Sequence, residues 1–288
     1  MGTPVKKTIH PSTTISHVHL TVGDLERSLR FYRDTLGLQI LEKNLRIVRL
    51  TADGVIPLIT LEEETDAQPK PPGTMGLYHF AILLPERTDL ARCLQHLLEI
   101  ELPLGASDHQ FSEALYLKDP DGNGIEIYTD RPRNQWRQNE KDKLPAVSDP
   151  LDMAGLLSLA GNRTWNEFPE KTRIGHIHLH VGDLKKAEQF YCEGLGFEPT
   201  IRWNGALFVA AGGYHHHIGL NTWAGEGAPP PPPKSVGLQH FSLIAPNWEE
   251  IKRVAQQLKG LGIPIEVQEE TLWVTDPFGI RIQLSAAN

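Results

Sequence analysis

The chain is predicted to adopt an α+β fold of four strand–helix–three-strand (βαβββ) modules arranged as two duplicated halves. Two observations predict it. Residues 15–40, ISHVHLTVGDLERSLRFYRDTLGLQI, and residues 174–199, IGHIHLHVGDLKKAEQFYCEGLGFEP, share twelve of 26 positions at a constant offset of 159. Two further pairs repeat: MGLYHFAILLPE from Met75 with VGLQHFSLIAPN from Val236, and ALYLKDPDGNGIE from Ala114 with TLWVTDPFGIRIQ from Thr271. A period this long denotes duplicated domains rather than a solenoid of short repeats.

The first module opens with the alternation Ile15-Ser16-His17-Val18-His19-Leu20-Thr21-Val22, the period of a half-buried strand. Gly23-Asp24 turns the chain, Asp24 can cap, and Leu25, Ser28, Leu29, Tyr32 and Leu36 recur at helical spacing until Gly37 stops the helix. Strands are expected around 46–51 and 55–61, with Asp53-Gly54 as the tight turn between them. The second module begins at Gly76, carries a helix over about 87–99, and closes with strands on either side of Asp119-Pro120-Asp121-Gly122. The third and fourth modules repeat these patterns at 174–222 and 237–285. The N-terminal half is placed at 11–131, a linker with a short apolar helix near 151–160 at 132–170, and the C-terminal half at 171–286. The run Pro229–Pro233 reads as a stiff extended spacer.

Bulk composition narrows the function. The 288 residues suffice for two domains, each with its own core, and 22% charged with 40% hydrophobic residues is globular composition. A net charge of −8 argues against nucleic acid or an anionic membrane as the main partner. Cys93 and Cys192 alone imply no disulfide framework, and together with an N-terminus lacking a signal-peptide core they point to a cytoplasmic protein. No run is long enough to span a membrane.

Four such modules, with His opening the first strand, Phe-Tyr in the helix and DPxGxxxE at the last strand, resemble the vicinal oxygen chelate superfamily of glyoxalases, fosfomycin and bleomycin resistance proteins and extradiol dioxygenases. The resemblance covers nearly the whole chain. It implies paired modules that curl into incomplete barrels around a cup, where a divalent metal is held by side chains from the first and last strands.

The copies are unequally equipped. Against Tyr116 and Glu126 in module two, module four has Trp273 and Gln283. Against His215, His216 and His217 in module three, module one has Ile56, Pro57 and Leu58. Modules two and three thus retain the polar groups, offering His79, Glu126 and His176 as metal ligands. Two imidazoles and a carboxylate on one face form the facial triad of non-haem Fe(II) oxygenases, with positions open for substrate and O2. Such a set suits Fe(II) or Mn(II), with Zn, Ni and Co also open.

The spacing His109-x6-Tyr116-x2-Asp119-Pro120-x-Gly122-x3-Glu126 resembles the extradiol signature of the catechol 2,3-dioxygenase branch, apart from Ser107 at a position where that signature prefers other residues. The resemblance assigns His109 and Tyr116 to orienting a substrate oxygen and His216, followed by Gly219 and Leu220, to acid/base chemistry. His215 and His217 are expected to face the other side of the strand. The implied reaction opens catechol or a substituted catechol, a small aromatic diol, next to its two hydroxyls with O2, and members of the superfamily form homo-oligomers.

Plainer readings stand beside these. A lone His on an apolar strand can be a core residue satisfied by backbone, and His17 and His240 can be remnants. His19, His178 and His180 suit supporting or packing roles, and Trp136, Trp165 and Trp203 suit burial. Module pairing is also open. Pairing two with three gives His79, Glu126 and His176 with His216 beside them. Pairing one with two gives His17 as the alternative third ligand and puts Pro57 where the acid/base residue belongs. The former is preferred because it completes the catalytic set. Two other functions compete: a glyoxalase-like isomerase or lyase with a non-redox metal, which calls for a second carboxylate ligand, and a metal-free binding protein like the bleomycin resistance members.

Overall fold

The computed structural model describes residues 8–136 and 144–287. Module one comprises β1 (Thr14–Val22), α1 (Leu25–Leu29), β2 (Gln39–Lys43), β3 (Ile47–Thr51) and β4 (Pro57–Glu63). Module two comprises β5 (Gly76–Leu83), α2 (Arg87–Glu99), β6 (Gly105–Asp108), β7 (Ser112–Lys118) and β8 (Gly124–Asp130). A short helix, α3 (Met153–Leu157), lies between the halves. Module three holds β9 (Arg173–His180), α4 (Leu184–Glu188), β10 (Glu198–Trp203), β11 (Ala206–Ala210) and β12 (Ile218–Asn221). Module four holds β13 (Gly237–Ala245), α5 (Trp248–Gly260), β14 (Ile265–Gln268), β15 (Thr271–Thr275) and β16 (Arg281–Ala286).

The helices start where their caps allow. Asp24 accepts from the Arg27 amide at 2.8 Å, Asp183 from the Lys185 amide at 2.8 Å, and Asn247 from the Glu250 amide at 3.0 Å. In modules one and three the helix widens after its first turns into a π-helical segment, Arg30–Thr35 and Gln189–Gly194. Gly37, at φ +97°, then turns the chain back within contact of the 166–167 backbone, where a Cβ would sit 2.8 Å from the Glu167 Cα.

The modules pair across the two halves of the sequence. One eight-stranded sheet runs β14-β15-β16-β13-β1-β4-β3-β2 and joins modules four and one; the other runs β10-β11-β12-β9-β5-β8-β7-β6 and joins modules three and two. Within a module the first and last strands are parallel, as in β5 with β8, and the two modules of a sheet meet through antiparallel first strands, β5 with β9 and β1 with β13. Of the two pairings the sequence allows, the structure adopts two with three.

The Phe-Tyr and Asp-Pro motifs tie one sheet to the other. Tyr32 in module one donates to Asp119 Oδ2 in module two at 2.8 Å, and Tyr191 in module three donates to Asp276 Oδ2 in module four at 2.9 Å. Each aspartate also organises its own turn: Asp276 Oδ1 accepts from the amides of Phe278 and Ile280, and Asp119 Oδ1 from those of Asp121 and Asn123. A hydrogen bond to a charged acceptor contributes about 1.5–3 kcal/mol. These motif residues therefore serve the architecture, and the chemistry is left to other positions.

In the sheet of modules one and four, His17, His19 and His240 cluster with ring centroids 4.8–6.2 Å apart. Burial, then the His240 and His19 imidazoles, pushes the His17 pKa down to about 3; burial, then His19 and Arg281, pushes His240 to about 4. Both stay neutral in the fold at pH values where the unfolded chain, with imidazoles near 6.5, already binds protons. Their contribution to stability is complete above about pH 6.5 and is lost as pH falls through that value towards 4 and then 3. The urea midpoint is therefore expected to fall between about pH 7.5 and about pH 4.5, and His17→Leu to lose about 1–2 kcal/mol of that acid destabilisation. An unchanged slope in the variant would show that His17 titrates as it does in water.

Candidate metal centre

Register places the three ligand candidates together. On β5, Ala81 sits opposite His176 of β9 on one side and Glu126 of β8 on the other. Cross-strand partners share a face, so the imidazole and the carboxylate rise on either side of a methyl group that leaves room between them. His79, two residues before Ala81 on the same face, completes the set. One donor atom from each of His79, Glu126 and His176 lies within 4.8 Å of the others, and all three residues are buried.

Both imidazoles aim Nε2 at the same oxygen, with His79 and His176 each 3.1 Å from Glu126 Oε2. The His176 contact has hydrogen-bond geometry; His79 Nε2 does not achieve it and is left a buried polar atom without a hydrogen-bond partner. Burial alone would raise the Glu126 pKa, but the His176 and His79 imidazoles outweigh it and hold the carboxyl well below its usual range. Burial lowers His176 to about 4 against the raising pull of Glu126. An ionised carboxylate and a neutral imidazole are the protonation states in which each can ligate. The donor set, the convergent Nε2 atoms and the unpartnered nitrogen fit a divalent metal ion.

His79 and Glu126 line a cavity of about 280 Å³, and His176 reaches Glu126 from outside its lining. Tyr116 and His109 form one wall, where His109 Nε2 is 2.7 Å from the Tyr116 hydroxyl. His109 Nδ1 is 2.8 Å from the Val147 carbonyl, which can only accept, so that nitrogen carries the hydrogen and Tyr116 donates to Nε2. Burial and then the Glu126 charge raise the Tyr116 pKa well above the usual phenol range, so it stays protonated. Apolar side chains, among them Ile201, Phe208 and Trp223, form the opposite wall.

His216 lines the same cavity, its ring 4.1 Å from that of His176. The structure departs from the strand pattern in two details. The histidine triplet precedes the last strand of its module, which begins at Ile218, and lies in the bend leading into it. His215 accordingly does not face away: its Nδ1 lies 2.8 Å from His216 Nδ1, whereas His217 turns aside and accepts from the Ala211 amide at 3.1 Å. A chain in a bend does not alternate faces as a strand does, which is why period-two reasoning separated neighbours that touch.

His17, the alternative third ligand, lies in the other sheet, where its Nε2 is 2.7 Å from Thr60 Oγ1. His178 is more than packing: it lines the cavity, with Asn221 Nδ2 donating to its Nε2 at 2.9 Å. Gly219 makes room for it, since a Cβ there would meet the His178 ring at 2.8 Å. Trp203 also lines the cavity and is 42% exposed, whereas Trp136 and Trp165 are half-buried and bond the carbonyls of Arg131 and Leu36. Sequence reasoning passed over the 145–148 segment, which covers the cavity through the Ser107–Ser148 hydroxyl pair at 2.6 Å and the Val147 carbonyl. No periodicity marks such a segment.

Paired modules around a cup floored by two imidazoles and a carboxylate define a class of protein. The chain matches the family model of the Glyoxalase/Bleomycin resistance protein/Dioxygenase superfamily over residues 14–127 and 173–284, and it belongs to that superfamily. Within it, the chain is 48% identical over 272 residues to the catechol-2,3-dioxygenase of Bacillus subtilis (strain 168), a match covering 93% of this chain and 95% of that protein. Among solved structures, it is similar in fold to a Bacillus subtilis protein described as a dioxygenase (TM-score 0.66, 16% identity, 98% of this chain and 86% of that one). It is also similar to glyoxalase I from Zea mays (TM-score 0.54, 15% identity, 95% of this chain and 92% of that one).

Single substitutions separate the two candidate ligand sets. Glu126→Ala and His176→Ala are each expected to weaken divalent-metal binding by more than about 100-fold, beyond the loss typical of a supporting residue. His17→Ala should retain the ion. Metal content after gel filtration, read by elemental analysis, checks this, and retention in His176→Ala with loss in His17→Ala would reverse the assignment.

Proposed function

We propose that the protein is an extradiol ring-cleaving dioxygenase that uses Fe(II) and O2 to open catechol or a substituted catechol next to its hydroxyls. The observation that carries this reading is the convergence of His79, His176 and Glu126 beside a cavity that His79 and Glu126 line together with His216 and the Tyr116–His109 pair. The 48% identity to a catechol-2,3-dioxygenase over most of both chains supports it. His79, His176 and Glu126 would hold the iron, which when bound supplies open positions where a diol and O2 meet.

The remaining groups prepare the substrate. Tyr116 and His109, already hydrogen-bonded to each other, orient a catechol hydroxyl, and the imidazole of His216 takes and returns protons at the cavity wall. Phe208, Ile201 and Trp223 fit the flat ring, and the 145–148 segment limits water above it. Among the described residues that line the cavity there is no Lys or Arg, and Glu126 is its single charged group. An anionic ring substituent would thus be desolvated without a partner, which favours catechol and its alkyl derivatives over carboxylated ones. A glyoxalase-type isomerase is less well supported, because the metal group among the described residues contains one carboxylate.

Protein loaded anaerobically with Fe(II) is expected to consume one O2 per catechol and form a coloured ring-opened product, whereas metal-stripped protein should do neither. His216→Asn should lower kcat between about 100-fold and about 10,000-fold. Carboxylated catechols should react with lower kcat/KM than 3- or 4-methylcatechol. Absence of O2 uptake across these substrates with iron verifiably bound would overturn the reading.

A further inference from the structure

Behind His216 lies a buried polar chain that the roles above leave unused. His215 is fully enclosed, yet both its ring nitrogens are engaged: Nε2 is 2.9 Å from Asp130 Oδ1, and Nδ1 is 2.8 Å from His216 Nδ1. An ionised carboxylate only accepts, so the hydrogen of the first contact belongs to His215 Nε2. With His215 neutral, its Nδ1 is then a bare lone pair, and the hydrogen between the two Nδ1 atoms must come from His216. That assignment puts the His216 hydrogen on Nδ1 and leaves Nε2 bare. Among the described residues nothing hydrogen-bonds that Nε2, and the ring that carries it lines the cavity.

The chain is held from several sides. Phe111 stacks on His215 at 4.6 Å with 21° between the rings, and Thr200 donates to the His215 carbonyl at 2.6 Å. Tyr214 donates to the other Asp130 oxygen at 2.9 Å, and the Tyr128 hydroxyl lies 2.7 Å behind that of Tyr214. Gly175 admits this pair, because a Cβ at that position would fall 1.9 Å from the Tyr128 hydroxyl. Asp130 therefore has both oxygens committed, one to the tyrosines and one to His215.

We propose that Asp130 and His215 are positioning residues that fix His216 as its Nδ1–H tautomer and present a bare Nε2 to the cavity as a proton acceptor. The proposal rests on the acid/base role given to His216 above. Holding the tautomer from behind spares the reaction the fraction of molecules in which Nε2 would carry a hydrogen and could accept nothing. His215 acts through His216 and does not itself reach the cavity.

The tautomer can be read directly by long-range 1H–15N correlation on the full chain, 15N-labelled at histidine and loaded with Zn(II) as a diamagnetic ion. The His216 signals are assigned by their loss in His216→Asn. The expected pattern is a protonated Nδ1 and a bare Nε2, shifting towards the other tautomer in His215→Phe and in Asp130→Ala. The half-buried position of Asp130 keeps the test available if His215→Phe does not fold. In the iron-loaded enzyme both variants should lower kcat by about 10–100-fold, the range for residues that orient a functional imidazole. KM for catechol and metal content should not change. A native His216 carrying its hydrogen on Nε2, a tautomer indifferent to both substitutions, or an unaltered kcat would overturn the proposal. If His216→Asn itself kept full kcat, the acid/base role would fall, and the resonance pattern would still decide whether Asp130 and His215 set the tautomer.

Discussion

The site depends on the antiparallel contact between β5 and β9, the first strands of modules two and three. That contact sets Ala81 opposite His176, while the parallel contact of β5 with β8 sets Ala81 opposite Glu126. The three strands run side by side in one sheet, so their registers jointly fix the spacing of the donor atoms without help from any loop. A slip of one residue along β5–β9 would send His176 to the opposite face and dissolve the cluster. Ala81 is fully buried and small enough to leave its neighbours the space above it. Two imidazoles and a carboxylate can be kept so close because the backbone ladder beneath them opposes their separation.

The second sheet shows what the same registers do when the side chains change. Ser242 takes the place of Ala81, opposite His17 and Gln283, and donates to Gln283 Oε1 at 2.7 Å. Thr60, at the position of Gly219, engages His17 Nε2. Among the described residues, the side chains of this sheet form no group of three donors that could hold an ion. In the other cup His79 Nε2 stays unpartnered. His19 Nε2 in the second cup is likewise without a hydrogen-bond partner, so the cups differ in their donor sets: His79, Glu126 and His176 converge in one, whereas in the other Gln283 replaces the carboxylate and accepts from Ser242.

Much of this was legible in the sequence because it is written as repetition. The duplicated ISHVHL and IGHIHL strands, the aligned DPxG turns and the replacement of Glu126 by Gln283 mark the equipped modules in the sequence itself. Which modules would share a sheet was not written there, since both pairings satisfy the same strand pattern; preference for two with three came from chemistry, in that it alone supplied a histidine in the place of Pro57. Contacts made through loops and bends stayed hidden. The 145–148 segment and the Asp130–His215 contact join residues 38 and 85 positions apart through loop or bend, where hydrophobic periodicity carries no information. The Phe-Tyr and Asp-Pro motifs were visible but silent about purpose, and proved to be cross-links between the sheets.

His109 and His216, two imidazoles that line the cavity, share one arrangement. His109 is oriented by the Val147 carbonyl, an obligate acceptor on Nδ1, which leaves Nε2 to receive the Tyr116 hydroxyl. His216 is oriented by His215, which is itself oriented by the Asp130 carboxylate. In both cases an acceptor outside the cavity decides which nitrogen inside it is bare. An imidazole accepts a proton only at a nitrogen that carries none, so fixing the tautomer from behind fixes which nitrogen can do so. Fixing both imidazoles from behind places the orienting contacts in a linker and a bend, and it leaves the ladder of β5, β8 and β9 to hold His79, Glu126 and His176 together.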